Sequence, residues 1–242
     1  MLKIENLTVK TNGKEILRNF SISIAGGEVH VIMGPNGSGK TTLSYALAGH
    51  PNYAVSGKIM LGKENITALP ADGKAKKGVF LAFQNPVPVE GVGLLNFVRK
   101  ARAAQGEPAD KDIMKFMEES GKQAAKVKLP DAFLNRDLNV GLSGGERKKS
   151  EIMQMLALKP KLVILDEIDS GLDVDALKTV AKAIDGALDG KRMFLIITHY
   201  ANILKYVKPD YVHVMLDGRI VKSGDAKFAK EIEKKGYEWM RE

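Results

Sequence analysis

The sequence predicts an α/β fold built on a mainly parallel core sheet. Short apolar runs alternate with helix-like stretches in the second half of the chain, which is typical of a parallel sheet covered by helices. The first third consists of strand-like segments joined by glycine-containing turns, which favours an amino-terminal antiparallel β part. Between residues 85 and 140 this pattern stops, and we expect an inserted helical lobe there.

The length and composition restrict the class of protein. A chain of 242 residues suits one domain, 1–242, with a nucleotide-binding core formed by 1–84 and 141–242 and the lobe at 85–140. No apolar run approaches the roughly 20 residues that span a bilayer, and the amino terminus lacks the apolar core of a signal peptide, so we expect a cytoplasmic location. The chain has no cysteine, which excludes disulfides and cysteine-ligated metal sites within it.

The net charge of +8 could attract nucleic acid, an acidic membrane surface or an acidic protein. The basic residues are scattered along the chain, however, and no arginine-rich arm stands out. This distribution favours a solvated basic surface, so no nucleic-acid partner is expected.

The hydrophobic periodicity and the turn residues locate the elements along the chain. Asp217-Gly218 suits the two-residue type I′ turn of a late hairpin. The predicted elements are, in order, strands at 2–10, 16–24 and 28–33, a helix at 40–49, strands at 57–61 and 79–83, helices at 112–126 and 146–158, a strand at 162–165, a helix at 174–188, a strand at 193–197 and the hairpin strands 211–216 and 219–222.

A phosphate-binding loop is the first chemical motif. Residues 34–41 fit the pattern G-x-x-x-x-G-K-[ST], and they follow a predicted strand and open a predicted helix, as this motif requires. The glycines let backbone N–H groups surround phosphate oxygens of ATP, while Lys40 supplies a charge and Thr41 a hydroxyl for Mg²⁺. The predicted nucleotide contacts are Gly34, Pro35, Asn36, Gly37, Ser38, Gly39, Lys40, Thr41 and Thr42.

Two carboxylates end the apolar strand at 162–165. Open α/β sheets bind ligands at the carboxyl ends of their strands, so Asp166 and Glu167 should face the nucleotide. We expect Asp166 to hold Mg²⁺ and Glu167 to activate the attacking water as a general base. The alternative is a solvated strand end without a catalytic role.

A second anion site precedes the helix at 146–158. The segment Leu142-Ser143-Gly144-Gly145-Glu146 places free N–H groups at a helix start, although one triphosphate hardly needs two such sites. The order of phosphate loop, LSGG-E and apolar strand with Asp-Glu resembles the ABC ATPase family. The resemblance implies a head-to-tail homodimer in which Ser143, Gly144 and Gly145 close over the ATP of the partner subunit.

The resemblance also implies roles for residues outside these motifs. Gln84 stands where the family has the glutamine that contacts Mg²⁺ or the water, and 170–173 resembles the D-loop of the dimer interface. His199 matches the switch histidine near the γ-phosphate, although a lone histidine after a strand can also be a structural hydrogen-bonding residue. The family's adenine-stacking aromatic has no counterpart near Val9–Thr11, so phosphate contacts should dominate nucleotide binding.

Three segments are similar to the SufC family, the ABC ATPases of SUF iron–sulfur cluster assembly: 166–178, 198–225 and the ending 236–239. This similarity implies a SufB/SufD-type scaffold protein as partner, docked on the lobe near 84–93. The alternatives are a transporter cassette that docks on a membrane protein through the same lobe, and a nucleic-acid-associated ABC protein that uses the positive charge.

Asp169 adds a carboxylate beside Glu167, where transporter cassettes usually have a neutral residue. We expect it to pair with His199 or with one of the cations at 147–149, and to hold the isolated subunit inactive. The alternative is a solvated acid.

Overall fold

A computed structural model describes residues 1–107, 112–199 and 202–240, so Tyr200 of the SufC-like segment lies outside the described residues. The strands are β1 (Leu2–Thr11), β2 (Lys14–Ile24), β3 (Val29–Met33), β4 (Ala54–Leu61), β5 (Glu64–Asn65), β6 (Val79–Ala82), β7 (Val89–Gly93), β8 (Asp137–Leu138), β9 (Leu162–Asp166), β10 (Met193–Ile197), β11 (Tyr211–Leu216) and β12 (Arg219–Gly224).

The helices of the described residues include the phosphate-loop helix and the helix that follows the LSGG segment. Their bounds are α1 (Lys40–Ala48), α2 (Ala71–Lys76), α3 (Leu94–Ala104), α4 (Ile113–Lys126), α5 (Gly144–Leu158), α6 (Val174–Asp185) and α7 (Ala226–Lys235). Short 3-10 turns lie at Asp131–Phe133, Ile203–Lys205 and Glu238–Met240. None of the helices in the described ranges is long and apolar enough to span a bilayer.

The core sheet has six strands in the order β12-β11-β3-β10-β9-β6. All neighbours are parallel except β11 and β12, which form the predicted hairpin. Every residue of β3, β9 and β10 is buried, because helices cover one face of the sheet and a second sheet covers the other. The carboxyl ends of β3, β6, β9 and β10 therefore meet along one edge.

An antiparallel sheet of order β2-β1-β4-β5 packs over the other face, with α1 between the two sheets. Leu43, Ala46 and Leu47 of α1 are buried in this interface. The phosphate-loop helix is thus fixed on both sides, and its amino terminus points to the edge where the core strands end.

The structure confirms the predicted fold class and most of the predicted elements. Asp217 and Gly218 both have positive φ angles, 45° and 76°, as a type I′ turn requires. The predictions were wrong at some boundaries, since α6 ends at Asp185 rather than at residue 188 and β4 begins at Ala54 rather than at residue 57.

The region 85–140 contains α3 and α4, and also a small sheet of β7 and β8. The α5 helix packs against α3 and α4 on one side and against α6 and β6 on the other. The division of the chain at 85 and 140 remains a prediction. Between this region and β6 lies a groove of about 450 Å³.

Candidate active site

The phosphate loop turns sharply between β3 and α1. Gly37 and Gly39 have φ angles of 80° and 105°, which favour glycine. A Cβ atom on Gly34 would lie 2.3 Å from the carbonyl oxygen of Met215, so this close approach also needs glycine. The loop is therefore as compact as the motif predicts, and its backbone N–H groups lie at the start of a helix, where anions bind.

Lys40 is buried over the loop. Its Nζ donates hydrogen bonds to the carbonyl oxygens of Gly34 and Pro35, at 2.8 and 2.9 Å. Burial lowers the pKa of Lys40 to about 8, while the charges of Glu167 and Asp166 oppose that shift. The ammonium group thus already lies at the phosphate loop, and a bound phosphate would replace carbonyl contacts with a stronger charge-assisted contact.

Asp166 is only 2% exposed and is fixed by Ser44. The Ser44 hydroxyl lies 2.6 Å from Asp166 Oδ2 and 2.8 Å from the carbonyl oxygen of Thr41. Burial raises the pKa of Asp166 to about 6, and the hydrogen bond from Ser44 opposes this shift. Ser44 was missed in the sequence, although it lies one turn after Lys40 and hence on the same face of α1.

Two oxygens at this site are suited to a cation. Asp166 Oδ1 and Ser38 Oγ are buried and have no hydrogen-bond partner among the described residues. Thr41 adds a hydroxyl in the first turn of α1. Since Mg²⁺ takes oxygen ligands, one or two of them carboxylates, this donor set fits the ion.

The three predicted catalytic residues meet at one carboxylate. Gln84 Nε2 donates a hydrogen bond to Glu167 Oε2 at 2.5 Å, and His199 Nε2 lies 2.7 Å from Glu167 Oε1. Glu167 has a φ angle of 47°, and its N–H donates to the carbonyl oxygen of Ile197 at 2.9 Å. A non-glycine residue in this left-handed region is strained, which is typical of functional positions.

Lys148 holds the segment after β9 in place. Its buried Nζ donates hydrogen bonds to the carbonyl oxygens of Glu167 and Ser170, and burial lowers its pKa. This contact joins α5, which begins in the LSGG segment, to the backbone of Glu167. The sequence suggested Lys148 only as one possible partner of Asp169.

Asp169 is half-buried rather than a fully solvated acid. Its Oδ2 accepts a hydrogen bond from Thr198 Oγ1 at 2.7 Å. Burial raises the pKa of Asp169, whereas Thr198 and the charge of Lys148, one of the expected cations, lower it. His199, another of the expected partners, has its Nε2 2.7 Å from Glu167 Oε1. A role of Asp169 in inactivating the isolated subunit remains a prediction.

The LSGG segment forms an exposed helix start. Ser143 is the N-cap of α5 and forms a capping box with Glu146: the Ser143 N–H lies 2.8 Å from Glu146 Oε2, and the Ser143 hydroxyl lies 2.7 Å from it. Among the described residues, no hydrogen bond joins Ser143 to the phosphate loop of the same chain. Gly144 is exposed as well.

Comparisons with known proteins identify the family. The family described as ABC transporter matches residues 17–170. A protein of Escherichia coli (strain K12) named "Probable ATP-dependent transporter SufC" is 49% identical, with 100% of this chain and 99% of the relative covered. "Vegetative protein 296" of Bacillus subtilis (strain 168) is 44% identical, with 100% and 93% covered.

Solved structures agree on the fold. A nucleotide-free ATP-binding cassette of an ABC transporter has a TM-score of 0.78 and 25% identity, with 98% of this chain and 96% of that chain covered. A dimeric cassette in a post-hydrolysis state with ADP and Pi has a TM-score of 0.79 and 21% identity, with 93% and 99% covered. The chain therefore belongs to the ABC ATPase family, is a full-length relative of SufC, and binds and hydrolyses ATP.

Proposed function

We propose that this ATPase drives conformational change in a SufB/SufD-type scaffold protein during iron–sulfur cluster assembly. The single observation that supports the chemistry is the meeting of Gln84 and His199 at the carboxylate of Glu167, beside the phosphate loop. The scaffold as partner is inferred from the similarity to E. coli SufC over the full length of this chain.

The phosphate loop and Lys40 bind the β- and γ-phosphates of ATP. Thr41, Gln84 and Asp166 would hold Mg²⁺, which supplies charge neutralisation during transfer of the γ-phosphate. Gln84 donates its amide N–H to Glu167, so its amide oxygen is available for this role. Asp166 keeps Oδ1 available in the same way, since Ser44 binds only Oδ2.

Glu167 acts as the general base for the attacking water. In the present arrangement both of its carboxylate oxygens are engaged, one by Gln84 and one by His199. A water molecule must therefore displace one of these contacts before Glu167 can accept its proton. If the water displaces Gln84, His199 keeps its contact with Oε1 and orients the carboxylate.

The LSGG segment supports a head-to-tail homodimer. Ser143, Gly144 and Gly145 form a helix start, and among the described residues no hydrogen bond joins Ser143 to the phosphate loop of the same chain. In a head-to-tail pair they would bind the γ-phosphate held by the other subunit. Loss of the γ-phosphate removes the contacts that favour closure, so hydrolysis reopens the dimer.

The groove beside β6 is our proposed scaffold-docking surface. Its walls are mostly apolar, and the large side chains Phe83, Val87 and Val89 at its margin are exposed. Exposed apolar side chains around a groove mark a protein-binding site. Because Phe83 directly precedes Gln84, a scaffold segment in this groove would contact the chain next to the catalytic site.

Reconstitution with purified proteins tests the proposal. We expect the SufB/SufD-type scaffold of the same organism to bind this chain and to raise its ATPase rate. Several relatives carry transporter names, so a transporter subunit is the second candidate. Affinity purification from detergent-solubilised cells separates the two: a polytopic membrane protein recovered with the chain, and no scaffold, would overturn our proposal.

A further inference from the structure

Two residues that line the groove each carry a buried oxygen that has no hydrogen-bond partner among the described residues. The two oxygens are Glu151 Oε2 and Asn139 Oδ1, on residues that are each 5% exposed. The rest of the groove is largely apolar, with Phe80, Phe97 and Ala101 among its walls. Since buried polar atoms in proteins nearly always have partners, these two acceptors indicate a missing donor.

Glu151 also contacts the segment that carries Gln84. Its other oxygen, Oε1, accepts a hydrogen bond from the N–H of Phe83 at 3.1 Å. The next residue, Gln84, donates to the catalytic carboxylate of Glu167. Glu151 therefore has one oxygen bonded to the backbone that leads to Gln84, while the other oxygen is buried without a partner among the described residues, on a side chain that lines the groove.

Asn139 is held by a separate contact. Its Nδ2 donates to the carbonyl oxygen of Val87 at 3.1 Å, which fixes the side-chain amide. Asn139 has a φ angle of 61°, a left-handed conformation that asparagine tolerates better than most residues. Two residues lining the groove, one on α5 and one directly after β8, thus each hold a buried acceptor in a fixed position.

We propose that Glu151 and Asn139 form a recognition site for one basic side chain, carried by an otherwise apolar segment of the scaffold protein. An ammonium or guanidinium group has only donors, which complements two acceptors, and it neutralises the carboxylate in the apolar groove. This inference rests on the proposed function, because it specifies the chemistry of the segment that docks there.

The site predicts a docking affinity that depends on pH. Burial raises the pKa of Glu151 to about 8, while the Phe83 N–H and the charge of Lys148 oppose the shift. Other titratable groups facing the groove or Glu151 are Tyr45 on α1 and Asp72 and Lys76 on α2. A basic side chain requires ionised Glu151, so docking releases a proton and tightens as the pH rises toward 8.

Glu151→Gln is the direct test. The glutamine keeps the size of the side chain and can still accept from the Phe83 N–H, but it then presents an NH₂ group to the groove. We expect affinity for the purified scaffold to fall about 10- to 100-fold, the range for a charge-assisted hydrogen bond. Isothermal titration calorimetry at pH 6.5, 7.5 and 8.5 should show a rising affinity for the wild type and a smaller rise for the variant.

Two valine substitutions separate this inference from the proposed function. Val87→Asp places a charge at the groove margin, while Val221→Asp makes the same change on β12, at the opposite edge of the core sheet. We expect only Val87→Asp to abolish docking. If both valine variants bind like the wild type, the docking surface is wrong.

A different result would overturn the recognition site but not the docking surface. If Val87→Asp abolishes docking but Glu151→Gln binds with wild-type affinity and an unchanged pH profile, the docking surface stands and the recognition site is overturned. Glu233→Gln on α7, a residue exposed to solvent, controls for the removal of one negative charge. Asn139→Gly is a second variant of the recognition site, because glycine keeps the left-handed backbone and removes the side-chain acceptor. Circular dichroism spectra of all variants should match that of the wild type.

Discussion

A buried pair of histidines should make the stability of the chain depend on pH. His30 Nδ1 and His213 Nε2 lie 3.0 Å apart, and the ends of this pair contact Glu28 Oε2 at 3.0 Å and Ser223 Oγ at 2.7 Å. His213 is 6% exposed. Two neighbouring nitrogens can share one proton, but they cannot both carry one without repulsion.

Burial and the charge of His30 lower the pKa of His213 to about 4. The folded pKa lies below the unfolded value of about 6.5, so the unfolded chain takes up a proton first as the pH falls. The contribution of His213 to stability is therefore fully present above pH 6.5 and is lost as the pH falls from about 6.5 toward 4. Between pH 7 and pH 5 the loss amounts to about 2 kcal/mol.

The perturbation is His213→Asn, and the assay is urea unfolding of both proteins at pH 7, 6 and 5. Asp166 and Glu151, whose pKa values are raised, contribute the opposite slope, but they do so equally in both proteins. The difference between the two proteins therefore isolates the histidine pair, since burial also lowers the pKa of His30. We expect the gap in unfolding free energy to shrink by about 2 kcal/mol from pH 7 to pH 5. A gap that stays constant over this range refutes the reasoning.

Three further substitutions test the catalytic site. Glu167→Gln should lower ATP turnover about 10²- to 10⁴-fold while leaving ATP binding intact, as measured by phosphate release and by nucleotide titration. Ser44→Ala removes the hydroxyl 2.6 Å from Asp166 Oδ2, and should lower the free energy of unfolding by about 1–3 kcal/mol in urea. Asp169→Ala should raise the basal ATPase rate of the isolated chain; an unchanged rate would rule out an inactivating role for Asp169.

The sequence predicted those parts of the site that consist of consecutive residues in the chain. The phosphate loop and the strand ending in Asp166-Glu167 are local patterns, and the structure has both where they were expected. The contact of Gln84 with Glu167 joins residues 83 positions apart, and it depends on β6 and β9 being neighbours in the core sheet. The spacing of the residues does not show that the two strands are neighbours, so only the family resemblance suggested this contact.

The residues missed in the sequence are those whose role depends on packing. In the sequence, Glu151 resembles an ordinary solvent-exposed polar residue of a helix. Only the fold shows that it is buried and lines the groove. The α7 helix was missed because its sequence is mostly charged, with Phe228, Ala229 and Ile232 as its buried residues. In α7 these three apolar residues were too few to distinguish a buried helix face from a solvated one.

The two contacts of Glu167 set a limit on what any partner can do to the ATPase rate. In the proposed mechanism, activation of the water requires the loss of one hydrogen bond to the carboxylate, from Gln84 or from His199. A hydrogen bond to a charged group contributes about 1.5–3 kcal/mol, so the water-activating arrangement is about 10- to 100-fold less populated than the present one. A scaffold that acts only by moving Gln84 can therefore accelerate hydrolysis by at most that factor. In the proposed homodimer, any larger stimulation comes from the second subunit, through Ser143 and its neighbours at the γ-phosphate.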